Sequence, residues 1–185
     1  MILFDPDLKP VPVLRPTSAK RTAAPNKNLR LPSARTLARF LTLAQKNLRL
    51  RGQVTVLLTT DAAIRKLNRQ FRHKDKPTDV LSFPAEGSFP AEGSFPTEGP
   101  TSGTAADKFA GDLAISVPTA LRQAVEQGHS LSTEIKVLIL HGLLHLSGHN
   151  HESDAGQMAR RERQLRAKLG LPQGLIERAK KSTRK

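Results

Sequence analysis

The 185-residue chain has no cysteine, no tryptophan and no tyrosine, and its only aromatic side chains besides histidine are seven phenylalanines. Without cysteine there can be no disulfide, no thiolate zinc site and no cysteine nucleophile, so a metal would have to be held by His, Asp or Glu. So few rings count against an aromatic platform for bases of the RRM or cold-shock kind. Acids are also scarce, 16 Asp+Glu against 30 Lys+Arg, which leaves a net charge of +14 and a pI near 10.9. Such an excess points to a polyanionic partner, nucleic acid first. No acid occurs between Asp7 and Asp61, a bias shared with organellar transit peptides, but two early Asp weigh against that reading. The opening residues MILFDPD carry neither a basic n-region nor a long apolar stretch, and no run approaches the roughly 18 apolar residues of a membrane span. A cytoplasmic protein that does not engage a membrane is expected.

Hydrophobic residues make up 37% of the chain, below the usual share of about 45–50%, so part of it should lie outside a core. The length suits one domain with appendages. Residues 1–32 form a Pro-rich, basic front with room for a short first strand, since five prolines interrupt residues 8–32. Ser33 stands where an N-cap should, ahead of Leu37, Phe40, Leu41, Leu43, Ala44 and Leu48 at helical spacing. The run QVTVLLT at 53–59 reads as a strand, followed by a turn at Thr60 and Asp61 and a helix over about 62–71 with Ile64, Leu67 and Phe71 on one face. A strand at 80–83 leads into three copies of a hexapeptide, SFPAEG, SFPAEG and SFPTEG, at 82–99. The later copies, within about 86–106, read as a low-complexity insertion. A strand resumes at 113–117, and a helix with proline in its first turn covers 118–128. From 131 to 146 the sequence is apolar nearly all round, which places a helix in the middle of a core, stopped by Gly148. An Arg-rich helix over 154–169 and a basic tail at 171–185 close the chain.

Four of the six histidines lie in HGLLHLSGHNH at 141–151. His141 and His145 are i and i+4 and project from one face of the apolar helix, a spacing that suits two imidazoles on one metal. His151 follows Gly148 and can be returned by the turn as a third ligand, leaving a position open as in catalytic zinc sites. A lone histidine is more often a satisfied core residue, but two imidazoles on a wholly apolar helix need partners. In the HExxH pattern of zinc peptidases the residue after the first ligand is a general-base Glu. Here it is Gly142, which disfavours that chemistry. His149 reads equally as a ligand substitute or a loop residue, and Glu134 as an acid favoured by the helix dipole.

The histidine motif, LNRQFRHKDKPTDVLSFP at 67–84 and GDLAIS at 111–116 together resemble, in wording and order, the YbeY family of single-strand-specific endoribonucleases. The resemblance covers about residues 33–170. It implies an α/β, α+β-like fold in which a small mixed β-sheet is packed with helices and a central buried helix carries the metal-binding histidines. It implies a metal-dependent endoribonuclease with one Zn2+ per chain on His141, His145 and His151. The RNA would be single-stranded, ribosomal RNA, matured at the small-subunit 3′ end, with the ribosome or its small subunit as partner and a part in ribosome quality control. Arg72 matches an arginine that the family pattern marks as functional; it would bind the scissile phosphate and offset its growing charge. Lys74, Lys76, Arg160 and Arg161, with the rest of the 160–168 cluster, would track the RNA backbone, or simply form a solvated face. Asp79 and Asp112 are candidate bases, although turn and strand-end roles explain both. Asn150 departs from the family's Asp; it keeps a carbonyl acceptor and loses the charge. Two other readings use the same residues: a metal-dependent hydrolase of a non-nucleic substrate, and a non-catalytic ribosome-associated factor with a structural metal.

Overall fold

A computed structural model of the chain describes residues 1–8, 30–85, 109–149 and 154–172. The expectations for 9–29, for the hexapeptide insertion, for Asn150 and His151, and for the tail from 173 onward lie outside these residues.

The described residues build a sheet of four strands in the order β1-β2-β4-β3. Strands β1 (Ile2–Phe4), β2 (Gln53–Thr59) and β4 (Phe109–Ser116) run parallel, and β3 (Val80–Pro84) pairs antiparallel with β4 along the edge. The sheet is mixed because β3 runs against the other strands; helix α1 (Ala34–Leu48) lies on the long connection from β1 to β2 that parallel pairing requires.

Ser33 caps α1, its hydroxyl accepting from Thr36 N at 3.2 Å. Leu37, Phe40, Leu41 and Ala44 are buried, whereas Leu43 falls off the stripe and is 49% exposed. No turn separates β2 from the next helix. Thr60 is itself the N-cap of α2 (Asp61–Arg72), accepting from Ala63 N, so Asp61 opens the helix instead of a turn.

Strand β4 begins at Phe109, four residues earlier than the sequence suggests, because a bulge at Gln53/Val54 lets the pairing run through Gly111. Gly111 has φ +138, and a Cβ there would stand 2.4 Å from Phe83 O and 2.8 Å from Leu146 Cδ2. Only glycine permits that backbone and that approach. Ser116 then caps α3 (Val117–Glu126), with Pro118 in its first turn.

Helix α4 (Leu131–Leu146) is the centre of the molecule. Its Leu131, Ile135, Leu138, Ile139, Leu143 and Leu144 are fully buried against α1, the sheet and α5 (Gln157–Leu169). Each such side chain contributes roughly 2–5 kcal/mol, judged by the usual cost of truncation to Ala. Gly148, at φ 87, turns the chain after the helix as its sequence position suggests. A smaller cluster of Ile64, Leu81 and Ala114, with Leu67 and Phe83, holds α2 on the other face of the sheet. Alternation along β3 therefore points Leu81 and Phe83 toward α2 and Ser82 toward α4.

Candidate active site

The two histidines of α4 meet. His141 is 6% exposed and His145 partly buried, their rings 4.8 Å apart and 74° from parallel, with the two Nε2 atoms 3.2 Å from each other. Helical periodicity sets this, because i and i+4 lie one turn apart on one face. Two imidazole nitrogens bound at 2.0–2.1 Å to one tetrahedral zinc would be about 3.3 Å apart, so the pair has the bite of a shared ion. On the far side of the first ring, His141 Nδ1 lies 3.2 Å from Glu162 Oε1. A carboxylate accepts only, so Nδ1 donates and the Nε2 lone pair of the neutral ring faces His145.

Glu162 is 1% exposed, and its Oε2 has no hydrogen-bond partner among the described residues. A buried anion of this kind is costly unless positive charge stands nearby. The residues present thus fit a cation at the Nε2 pair, with Glu162 orienting the ligand behind it. Among the described residues no third His, Asp or Glu completes a metal set. His151, the third ligand expected from the sequence, lies outside them. Glu162 was missed in the sequence because it sits in an Arg-rich helix. The signal was there: with Met158 and Leu165 it shares the i, i+4, i+7 stripe that α5 buries.

Gly142 has a physical reason to be glycine. A Cβ at 142 would lie 2.7 Å from Leu113 Cδ2 and 3.3 Å from Ser82 Oγ, so this position faces the sheet and has no space for a general-base Glu. Glu134 is not explained by the helix dipole alone. It is fully buried and pairs with His129 Nε2 at 3.0 Å, two turns from His141. His149 is partly buried; burial and the nearby Arg161 charge hold its imidazole below its ordinary value, with Asp154 opposing.

Arg72 is the last residue of α2, the helix packed on the face of the sheet away from α4, and is exposed. The link between the two sides is β3 itself. Phe71 packs on Phe83, while Ser82 Oγ donates to Gly142 O at 3.4 Å. Lys74 and Lys76 are exposed in the following loop, which is fixed by Asn68 Nδ2 donating to Lys76 O at 2.7 Å and by a paired contact of Arg65 with Asp75 at 2.9 and 2.8 Å.

The Arg-rich helix is divided. Arg160 is exposed, Arg161 donates to Asn47 O at 3.3 Å and so ties α5 to α1, and Arg166 is 7% exposed with its guanidinium on Pro172 O. Arg166 therefore does not belong to an outer basic face, because α5 buries the side that carries it. Asp79 accepts from Val80 N and Gln123 Nε2 at 2.8 and 3.0 Å, a turn-fixing role, whereas Asp112 is exposed on β4 opposite Phe83.

Three sequence motifs converge in space here. The Cβ position of Gly111, in GDLAIS, is bounded by Phe83, Pro84 and Leu146, which belong to the other two. A family model described as endoribonuclease YbeY matches residues 21–170. The chain belongs to the YbeY family. Among relatives in that family, the protein named endoribonuclease YbeY from Koribacter versatilis is 48% identical over 153 residues, 83% of this chain and 88% of the relative. That from Solibacter usitatus is 47% identical over 150 residues, 81% and 86% of the two chains. A solution structure from Thermotoga maritima aligns over 76% of this chain and 85% of its own at 21% identity, with a TM-score of 0.49. The YbeY match spans the α4 histidines, Arg72 and Glu162 alike.

Proposed function

We propose that this chain is a metal-dependent endoribonuclease that cleaves single-stranded ribosomal RNA in the cytoplasm, matures the small-subunit 3′ end and takes part in ribosome quality control, with one Zn2+ as its metal. The observation that carries the reading is the pair of Nε2 atoms 3.2 Å apart, backed by a buried carboxylate at His141 Nδ1. Membership of a family described as endoribonuclease and the +14 charge support RNA cleavage over a non-nucleic substrate.

His141, His145 and His151 would hold the ion. Bound there, a zinc ion supplies Lewis-acid polarisation of a phosphoryl oxygen or a more acidic water. Glu162 keeps the His141 ring in one tautomer. Arg72 offers a planar guanidinium for bidentate contact with a phosphate and offsets the negative charge that grows on it during cleavage. Lys74, Lys76 and Arg160, all exposed, neutralise neighbouring phosphates, and Arg161 adds its charge beside α1.

End-mapping of products from defined single- and double-stranded RNA, with and without chelator, tests the whole reading. Cleavage is expected on single strands alone, lost with chelator and restored by Zn2+; a 2′,3′-cyclic phosphate end would identify the RNA's own hydroxyl as nucleophile. Arg72→Ala should abolish cleavage with metal content unchanged, and His145→Ala should lose metal in elemental analysis. Cleavage undiminished by chelator would overturn the metal's role.

A further inference from the structure

Among the described phenylalanines Phe71 is the most exposed, ahead of Phe4 and Phe109. Phe71 follows Ile64 by seven residues on α2, yet Ile64 is fully buried and Phe71 is 55% exposed. Part of the ring is held against Phe83, with centroids 5.0 Å apart and planes at 73°. The rest faces water.

A single exposed phenylalanine is ordinary on a protein surface. Its surroundings are not. Residues 65–76 carry six Lys and Arg and one acid, Asp75, which is already committed to Arg65 at 2.8 Å. Arg69, Arg72, Lys74 and Lys76, all within five residues of Phe71 in sequence, are exposed. Cations that take phosphates, with an open ring among them, are what an unpaired nucleic-acid strand needs, because every base has a π-face and a duplex hides it.

The position is also apt. Strand β3 is the edge of the sheet, Phe83 lies on its α2 side, and the adjacent Ser82 reaches Gly142, the residue after His141. A strand leaving the imidazole pair across this edge would come to the α2 side, where Phe71 packs on Phe83.

We propose that Phe71, backed by Phe83, is a stacking platform for one unpaired base of the RNA, with Arg69 and Lys74 on the flanking phosphates. The proposal rests on the RNA-cleavage reading and gives it a physical source of single-strand preference. The scarcity of aromatics excludes a broad platform, but one ring suffices for one base.

The chain has no tryptophan, so Phe71→Trp introduces a lone indole that reports stacking without any turnover. Emission is followed on titration with a 2′-O-methyl single-stranded oligoribonucleotide, while binding is read in parallel by anisotropy of an end-labelled strand. Quenching by the single strand that tracks binding, and none by the matching duplex, is the expected result. Leu43→Trp, at an exposed position of α1, serves as the control and should stay unquenched. Phe71→Leu, which keeps an apolar contact with Phe83, should weaken single-strand binding on the order of tenfold. Binding with no change in the indole, or with full affinity in Phe71→Leu, would overturn the platform and leave the nuclease reading standing. Absence of binding by the unaltered protein would overturn both.

Discussion

Contacts on both sides of His141 divide its ring. Nδ1 faces a buried carboxylate and Nε2 faces a second imidazole, so the proton and the lone pair have fixed sides. Glu162→Gln keeps the size and can still accept from Nδ1–H, but it removes the negative charge behind the ligand. The expected outcome is a 10- to 100-fold loss of Zn2+ affinity, read by competition with a chromophoric chelator, with the circular dichroism spectrum unchanged. Unaltered affinity would show that the carboxylate serves packing alone. The histidine spacing was legible in the sequence because a helix repeats every 3.6 residues; Glu162 was not, because it reaches His141 from 21 positions away on another helix.

Helix α2 is fixed at both ends. At its start Asp61 accepts from Ser116, from Thr119 at 2.7 Å and from Arg122 at 3.0 Å, so one carboxylate joins α2, β4 and α3. Partial burial pushes its pKa up, but these hydrogen bonds and the Arg122 charge outweigh it and leave the group below 3.8. A carboxylate with a depressed folded value contributes stability above its unfolded pKa and loses it as the pH falls through the folded one. Asp61→Asn should therefore lower stability by roughly 1 kcal/mol at neutral pH, a modest figure because Arg122 is half exposed. The difference in urea midpoints should shrink as the medium is made more acid than the ordinary carboxylate value. A constant difference across that range would remove Asp61's charge from the account. The sequence suggested a turn where this hub stands, since Thr60-Asp61 has turn composition and only β4 and α3 reveal its partners.

Across the whole molecule, a part for the positive charge in RNA binding is something that salt can measure. If Arg72, Lys74, Lys76 and Arg160 each neutralise one phosphate, log K for a single strand should fall with log salt at a slope of about −3, and Lys74→Ala should reduce it by about 0.7. A slope near zero would point to a non-nucleic substrate. No helix among the described residues is long and apolar enough to cross a membrane. The sequence by itself determined that a metal could be bound only by histidine and carboxylate, that α4 is central, and that β2, β3 and α1 lie where their periodicity puts them, because composition and local spacing are properties of a chain before it folds. Only the tertiary structure decided which residues share a site. It brought Glu162 to His141, placed Phe71 on Phe83, turned Arg166 inward, and joined the three motifs around Gly111, where a missing Cβ lets Phe83 O approach. Those contacts link positions far apart in sequence, and close packing rather than local propensity selects them.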